Sequence, residues 1–251
     1  MTHSLLRSLI RETLLQESDS PTARAAAAGY AVARGESDAT VVMIYSPKIL
    51  FEILDGLDDP SSENIKHAVR DSLLETSIVR SAVGYRPADD SPWAAVPSGP
   101  CWDSGIVSYA VSANDDPDLP RVGPAAYEAA MWYSKDHTLT PDRESVSSSA
   151  EKVWSRYSGR VGKGVDAFEF DDKDDPKTPE PDDDCWLHDN DVLNHAYALD
   201  AKPAGLDSLE KKHKECIKKL EREYFYSGFY FTLDILSLSE NLFQKNYNYN
   251  D

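Results

Sequence analysis

Apolar residues recur at intervals of three and four along much of the chain, a spacing that predicts amphipathic helices. The segments that show it are 4–17, 47–57, 62–79, 124–134, 147–157 and 207–226. Alternation of apolar and polar residues instead indicates strands at 29–34, 40–45 and 105–111, and a short extended piece at 139–141. Because strands alternate with helices, we predict an α+β fold, close to α/β, in which a mixed sheet is flanked by helices.

Composition and hydrophobic pattern divide the chain into four parts. An amphipathic helix forms an N-terminal arm over residues 1–20, and an α/β domain with the predicted sheet occupies 21–160. An acidic loop region rich in Pro and Asp follows at 161–206, and a C-terminal helix with a Tyr/Asn-rich tail occupies 207–251. At 251 residues, the chain is long enough for one such domain to bury a sizeable core.

The two ends of the chain are candidate contact segments. The arm carries a Leu/Ile stripe on one side of a helix that Ser4 is placed to cap. The residues of the stripe are Leu5, Leu6, Leu9, Ile10 and Leu14. A helix this short is marginal alone, so we expect the arm to pack on its own domain or to dock on a partner through Leu5–Leu15. The tail QKNYNYND cannot build a core, and we interpret it as an interaction strand or as disorder.

The composition excludes several classes of protein. A net charge of −18 leaves no broad cationic surface to displace counterions from nucleic acid, so we expect no direct nucleic-acid binding. The cysteines Cys101, Cys185 and Cys216 lie far apart and include no CxxC pair, which predicts neither a disulfide framework nor a zinc site. No apolar run has the length of a membrane span and no signal-peptide core is present, so we expect a protein made in a cytoplasm, without membrane contact.

Much of the negative charge lies between residues 166 and 184. Ten acidic residues stand there against two lysines, and three prolines interrupt the run, which predicts a loop. Clustered carboxylates suit a calcium ion, but DDKDDPKTPEPD lacks the glycine and the bidentate glutamate that an EF-hand loop needs at its sixth and twelfth positions. We therefore interpret the run as solvated charge and predict no metal site.

The stretch RVGPAAYEAAMWYS, residues 121–134, is the start of a predicted helix and has two explanations. The fixed φ of proline suits the first turn of a helix, so a helix that only packs in the core explains the stretch. Alternatively, a strand followed by a glycine turn and a helix N-terminus presents amides and a positive dipole end to an anion.

Four motifs give the sequence a resemblance to a known family. GPAAYEAAM, LTPDRESVSSSAEKVWSRY, FDDKDDPKTPEPDDDC and LNHAYALD follow the strand GIVSYAV in this order, over roughly residues 100–200. Together they resemble a group of phage-encoded proteins with the fold of GNAT-type N-acetyltransferases. The segment LLRSLIRETLLQE resembles the short Leu/Arg helix that opens many proteins of marine tailed phages.

The resemblance implies roles for five residues. In GNAT enzymes a glycine-rich turn after a strand binds the pyrophosphate of acyl-CoA, and Arg121, Val122, Gly123 and Ala125 match that turn. A later helix contributes an aromatic residue next to the acyl group, and Tyr157 would there protonate the leaving thiolate. The turn departs from the G-x-G pattern at Arg121, whose side chain obstructs close approach of the backbone, although its guanidinium can pair with phosphates.

An acetyltransferase also needs a general base. Glu128 and His137 are near enough in sequence to be named, but neither belongs to a recognisable constellation, and the base stays unassigned. Asp142 and Arg143 are adjacent on an extended piece and point to opposite faces, so we expect each to have its own partner. Trp154, three residues before the candidate acid, shares its helical face, as a core residue would.

Two functions follow as expectations. The first is a virion-associated structural protein of a phage that binds no cofactor, performs no catalysis and contacts other phage structural proteins through Leu5–Leu15 and the C-terminal tail. The second is an N-acetyltransferase that uses acetyl-CoA on an amine or lysine, a cationic substrate that the acidic surface would attract. A third hypothesis, a host-takeover protein that binds a cationic host factor, has no motif behind it.

Overall fold

A computed structural model describes residues 20–36, 40–59, 61–74, 78–86, 105–112, 122–142, 146–169, 190–228 and 230–232. The helices in these ranges are α1 Pro21–Ala27, α2 Pro47–Asp55, α3 Ser62–Leu74, α4 Gly123–Tyr133, α5 Ser148–Ser158 and α6 Leu206–Tyr224. The strands are β1 Ala31–Glu36, β2 Thr40–Tyr45, β3 Val79–Arg86, β4 Gly105–Ser112, β5 Thr138–Thr140, β6 Val165–Glu169 and β7 His195–Leu199. Short 3-10 turns at Lys135–His137 and Asp191–Leu193 precede β5 and β7.

The strands form one mixed sheet in the order β1-β2-β3-β4-β5-β7-β6. Strands β1 to β4 pair antiparallel in sequence order, and β5, β7 and β6 form a second antiparallel group. The two groups are joined by a short parallel pairing, Gly105 with Leu139 and Ile106 with Thr140. A parallel pair requires a crossover connection, and α4 lies within it. The architecture is therefore α+β.

Helices cover both faces of the sheet, because residues on alternate sides of the strands are apolar. On one face, Ile44 and Val83 pack with residues of α1, α4 and α5, including the fully buried Trp154 and Tyr157. On the other face, Met43 of β2 packs with residues of α2 and α3. Each face has its own apolar cluster.

Helix α6 contributes to both clusters. Leu206 and Leu209, in its first turn, pack with the α4 side of the sheet, whereas Cys216 and Leu220 pack with the α2 side. The helix contacts β1, which pairs with β2 alone. A helix across an edge strand protects backbone groups that would otherwise pair with another chain.

Two helix starts follow from local sequence. The Ser46 hydroxyl accepts a hydrogen bond from the Ile49 amide at 3.3 Å, and Pro47 occupies the first turn of α2. The Ser147 hydroxyl caps α5 in the same way, accepting from the Ala150 amide at 3.2 Å.

Much of the predicted secondary structure is confirmed. The hairpin of β1 and β2, strand β4, the extended piece at β5 and helices α2, α4, α5 and α6 occur within a few residues of their predicted positions. The helix prediction for 62–79 is wrong at its end, because Val79 begins β3 and its side chain packs against the sheet core. The loop prediction for 166–184 is wrong over 166–169, which belong to β6.

Strands β3, β6 and β7 were not predicted. Most of the predicted arm, the tail beyond residue 232 and the acidic run from residue 170 lie outside the described residues. Among the residues that the structure describes, no helix is long and apolar enough to cross a membrane.

Candidate functional site

The start of α4 is the part of the predicted phosphate turn that the structure describes. Arg121 lies outside the described residues, and Val122 is the N-cap residue of the helix. Val122 and Ala125 are buried, and Gly123 is partly exposed. The amides of Ala125 and Ala126 donate to the Val122 carbonyl at 2.9 and 3.3 Å, so the helix start uses both of them internally.

Tyr157 packs directly behind this helix start. Its hydroxyl donates to the Pro124 carbonyl at 3.3 Å, and its side chain is fully buried. Burial raises the pKa of this hydroxyl well above its ordinary value, and the nearby Glu128 carboxylate raises it further. A phenol with such a pKa is a weak proton donor to a thiolate, and its observed contact ties α5 to α4.

Glu128 is the centre of a buried polar network that also fixes the start of α1. Its Oε2 accepts from the Ser20 hydroxyl at 3.0 Å, the Thr22 hydroxyl at 3.0 Å and the Thr22 amide at 3.3 Å. Its Oε1 accepts from the Arg160 guanidinium at 2.8 Å. The Glu128 side chain is 1% exposed. The carboxylate therefore neutralises a cation and caps a neighbouring helix, the two ways in which a buried charge is normally compensated.

The loop before α6 belongs to the same network. The Thr22 and Ser20 hydroxyls lie 2.7 and 3.3 Å from the Ala204 carbonyl. The next residue, Gly205, has a φ of 86°, and a Cβ there would come within 2.6 Å of the Ala23 Cα. Only glycine suits both this conformation and this close approach. Helices α1, α4 and α6 and the turn after α5 thus meet at Glu128.

His137, the other candidate base, also makes local contacts. Its ring stacks on Trp132 with centroids 3.7 Å apart, and its Nδ1 lies 2.7 Å from the Trp132 carbonyl oxygen. Asp142 is partly exposed, and Arg143 is outside the described part of the chain. Glu128 and His137 are not brought together by any contact that the structure describes.

A groove of about 650 Å³ lies between α6 and the start of α2. The apolar residues that line it include Ala28, Tyr30, Pro47, Ile49, Phe51 and Cys216. Three lysines and one glutamate also line it, namely Lys48, Lys212, Lys219 and Glu215. The ammonium of Lys219 lies 3.8 Å from the centroid of the Phe51 ring. The groove thus combines an apolar wall with a cationic rim in a protein of net charge −18.

Three titratable side chains lie beside the groove, the buried Tyr45 and Cys216 and the partly buried His213. The Tyr45 hydroxyl and His213 Nδ1 are 2.9 Å apart. Burial lowers the pKa of His213 to about 4, and raises the pKa of the Cys216 thiol to about 11. Cys216 is therefore protonated at neutral pH and is a poor nucleophile. These side chains are neutral packing groups, which suits their place in the apolar cluster.

Sequence reasoning missed most of this arrangement. Glu128 was named only as a base, and Ser20, Thr22 and Arg160 were not named, because their meeting depends on tertiary packing. One signal was available: an acidic residue in the middle of the apolar helix pattern AAYEAAMWY demands a buried partner. Within the described residues, no group of three or more acidic, His or Cys side chains is placed to hold a metal ion.

Comparison with protein-family models, with curated proteins and with solved structures finds no match to this chain.

Proposed function

We propose that the chain is a non-catalytic interaction protein of a phage particle, built on an α+β domain with GNAT-like connectivity. The observation that carries the proposal is the use of Tyr157 and Glu128 in structural contacts. Tyr157 ties α5 to the start of α4, and Glu128 neutralises Arg160 and caps α1. Both side chains therefore hold elements of the fold together, which supports a structural role.

The GNAT-like part of the proposal rests on the middle of the chain. Strand β4, helix α4 and strand β5 follow one another, and β5 pairs parallel with β4. Only Gly105 and Ile106 of β4 enter this pairing, so the remaining residues of β4 continue beyond β5. A helix that begins at the carboxyl end of such a strand supports the resemblance seen in the sequence.

Surface chemistry supports an interaction role. The groove beside α6 has the apolar wall and polar rim that protein contacts commonly use. The Leu5–Leu15 segment and the C-terminal tail are the segments proposed to contact neighbouring structural proteins. The protein would be made in the host cytoplasm and incorporated into the virion.

Quantitative mass spectrometry of purified particles tests this function. The expected result is a fixed copy number per particle that survives density-gradient purification and washing in high salt. Complete absence of the chain from particles, although it is abundant in infected cells, would refute the proposal.

The acetyltransferase remains the second candidate because the β4–α4–β5 unit has the required connectivity. If the protein is an acetyltransferase, acetyl-CoA should raise its melting temperature in a saturable way. The Arg121→Glu variant should lose most of that rise. An Arg70→Glu variant, changed at an exposed position of α3, is the control of equal charge. Binding alone does not establish this activity, because a scaffold can retain a ligand without turning it over.

A further inference from the structure

The groove beside α6 offers both apolar and cationic contacts. Ile49 and Phe51, two residues of its apolar wall, are only partly buried, and three lysines line the groove against one glutamate. Lys48 and Lys219 pair with glutamates one helical turn away, at 3.6 and 3.7 Å, and surface pairs of this kind contribute little to stability. An acidic partner can therefore take over these lysines at little cost to the fold.

The length and charge of the groove favour a polypeptide segment that is both apolar and acidic. Its α6 wall runs from Lys212 to Lys219, two helical turns or about 10 Å, which a few residues of a partner chain can cover. The start of α2 lines the same groove at Ser46 and Pro47, and the partial positive charge of a helix N-terminus adds to that of the lysines. Apolar side chains would contact the wall, and carboxylates would pair with the rim.

Residues 233–243, LDILSLSENLF, have this composition. Six of them are apolar, Asp234 and Glu240 are acidic, and none is basic. The N-terminal segment LLRSLIRETLLQE is also apolar, but its two arginines cancel its two glutamates, so it offers the groove no net attraction. Charge complementarity therefore selects residues 233–243 as the occupant of the groove.

The described chain approaches this segment on the other side of α6. Gly228 donates its amide to the Glu221 carboxylate at 3.2 Å, and the rings of Phe231 and His213 have centroids 5.9 Å apart. With about 3.6 residues per turn, His213 and Glu221 lie roughly 150° around the helix from the α6 residues that line the groove.

This position makes a second copy of the chain the better source of the segment. Around a helix about 10 Å wide, an arc of roughly 150° is about 13 Å long, the span of about four extended residues. Within one molecule, Leu233, Ile235 and Leu236 would then lie on the outer face of α6, which carries the exposed Lys214 and Lys218. In the groove of a second copy, all six apolar residues are available to the wall.

We propose that residues 233–243 bind in the groove beside α6 of a second copy of this chain, where Asp234 and Glu240 pair with its lysines. Two copies that exchange the segment form a closed dimer, in which each groove is filled by the other copy. The inference rests on the proposed function, in which the C-terminal tail contacts neighbouring structural proteins, and it names a second copy as one such neighbour.

Sedimentation equilibrium of the full chain tests the proposal. At a salt concentration of about 0.15 M the Debye length is about 8 Å, which screens the repulsion between two copies of net charge −18 but leaves the direct contacts. The wild type is expected to dimerise at concentrations up to about 100 μM.

Two charge-reversed variants identify the contact. The groove variant Lys48→Glu/Lys212→Glu and the segment variant Asp234→Lys/Glu240→Lys each bring like charges together, and each should raise the dissociation constant at least about tenfold. An equimolar mixture of the two should dimerise again, because every groove then meets a segment of opposite charge. Misfolding of either variant cannot produce this rescue.

The matched control is Lys214→Glu/Lys218→Glu, which changes the net charge equally at exposed positions of α6 outside the groove. It should dimerise like the wild type. A monomeric wild type, a control as weak as the groove variant, or a mixture that stays monomeric would each overturn the proposal. A monomer found at fixed copy number in particles would refute this inference alone, whereas a dimer absent from particles would refute the proposed function alone.

Discussion

The two arginines Arg160 and Arg80 are buried to different degrees and are treated differently by the fold. Arg160, with 31% of its side chain exposed, has the Glu128 carboxylate at 2.8 Å. Arg80 is more deeply buried, at 9% exposure, and its Nε has no hydrogen-bond partner among the described residues. The Glu128 carboxylate thus offsets the burial of the Arg160 charge, and no contact of this kind is described for Arg80.

The comparison also separates two kinds of region in the molecule. Around Glu128, the hydroxyls of Ser20 and Thr22 and the Arg160 guanidinium bind one carboxylate and hold α1, α4 and the turn after α5 together. We call this region closed. The groove beside α6 instead exposes an apolar wall, and its lysines Lys48 and Lys219 pair with Glu52 and Glu223. The closed region contributes to stability, and the groove is where we expect a partner to bind.

The largest expected effect comes from removing the centre of the closed region. Glu128→Ala leaves Arg160, two hydroxyls and the Thr22 amide without their acceptor, and should lower the free energy of unfolding by about 3–5 kcal/mol. The matched control is Glu52→Ala in α2, because this carboxylate is 60% exposed and pairs only with Lys48 on the surface. The control substitution should lower the free energy of unfolding by less than about 0.5 kcal/mol. Urea unfolding measures both, and equal losses would show that Glu128 does not hold the region together.

A glycine pair tests how tightly the same region is packed. Gly205 and Gly29 both have positive φ, 86° and 81°, but only the first has backbone atoms where a Cβ would lie. Gly29→Ala should lower the free energy of unfolding by about 1–2 kcal/mol, because alanine is disfavoured in the left-handed conformation. Gly205→Ala should cost about 2 kcal/mol more, because α1 has to move away from the loop. Thermal unfolding of the two variants measures the difference, and a Gly205→Ala variant as stable as Gly29→Ala would contradict the close approach.

His213 shows a third way to bury a titratable group, which is to keep it neutral. Its pKa is lowered to about 4 by burial, against about 6.5 in an unfolded chain. The unfolded state therefore takes up a proton first, and stability present above pH 6.5 is lost as the pH falls toward 4. This loss is about 2–3 kcal/mol.

Unfolding free energies of His213→Gln and the wild type, measured between pH 7 and pH 4, check this prediction. The variant should lose less stability over that range, whereas His67→Gln, changed at an exposed histidine of α3, should follow the wild type. Parallel curves for all three proteins would show that His213 is not buried as described.

Tyr157 gives the smallest effect. Tyr157→Phe removes one hydrogen bond to the Pro124 carbonyl and keeps the ring in its cluster, so it should cost about 0.5–1.5 kcal/mol. Urea unfolding measures the loss. A much larger loss would place Tyr157 in a polar network beyond this single contact.

The sequence predicts the elements that rest on local pattern. Helices α2, α4, α5 and α6 have strong spacing and capping residues or proline at their starts, and the hairpin of β1 and β2 alternates clearly. Strand β3 was not predicted, because its sequence VRSAVGYR directly follows a helical pattern and contains a bulge. Strands β6 and β7 were not predicted because their sequences, VDAFE and HAYAL, are short, and β6 overlaps the start of the acidic run.

The candidate sites were harder to predict from the sequence than the helices and strands, for a physical reason. The Glu128 network joins residues more than 100 positions apart in sequence, from Thr22 to Glu128, and such pairs depend on how helices pack across the sheet. The helix start at Gly123 was recognised from Pro124, and the amides of Ala125 and Ala126 form the ordinary hydrogen bonds of a first helical turn.

The most direct test of the central claim, that the chain is a scaffold and not an enzyme, is turnover of acetyl-CoA. The full chain is incubated with isotopically labelled acetyl-CoA, a polyamine and lysine peptides, and both acetyl transfer and free thiol are measured over time. The account predicts rates equal to those without protein, for the wild type and for Tyr157→Phe alike. Transfer above that background which Tyr157→Phe abolishes, while the variant stays folded, would contradict it.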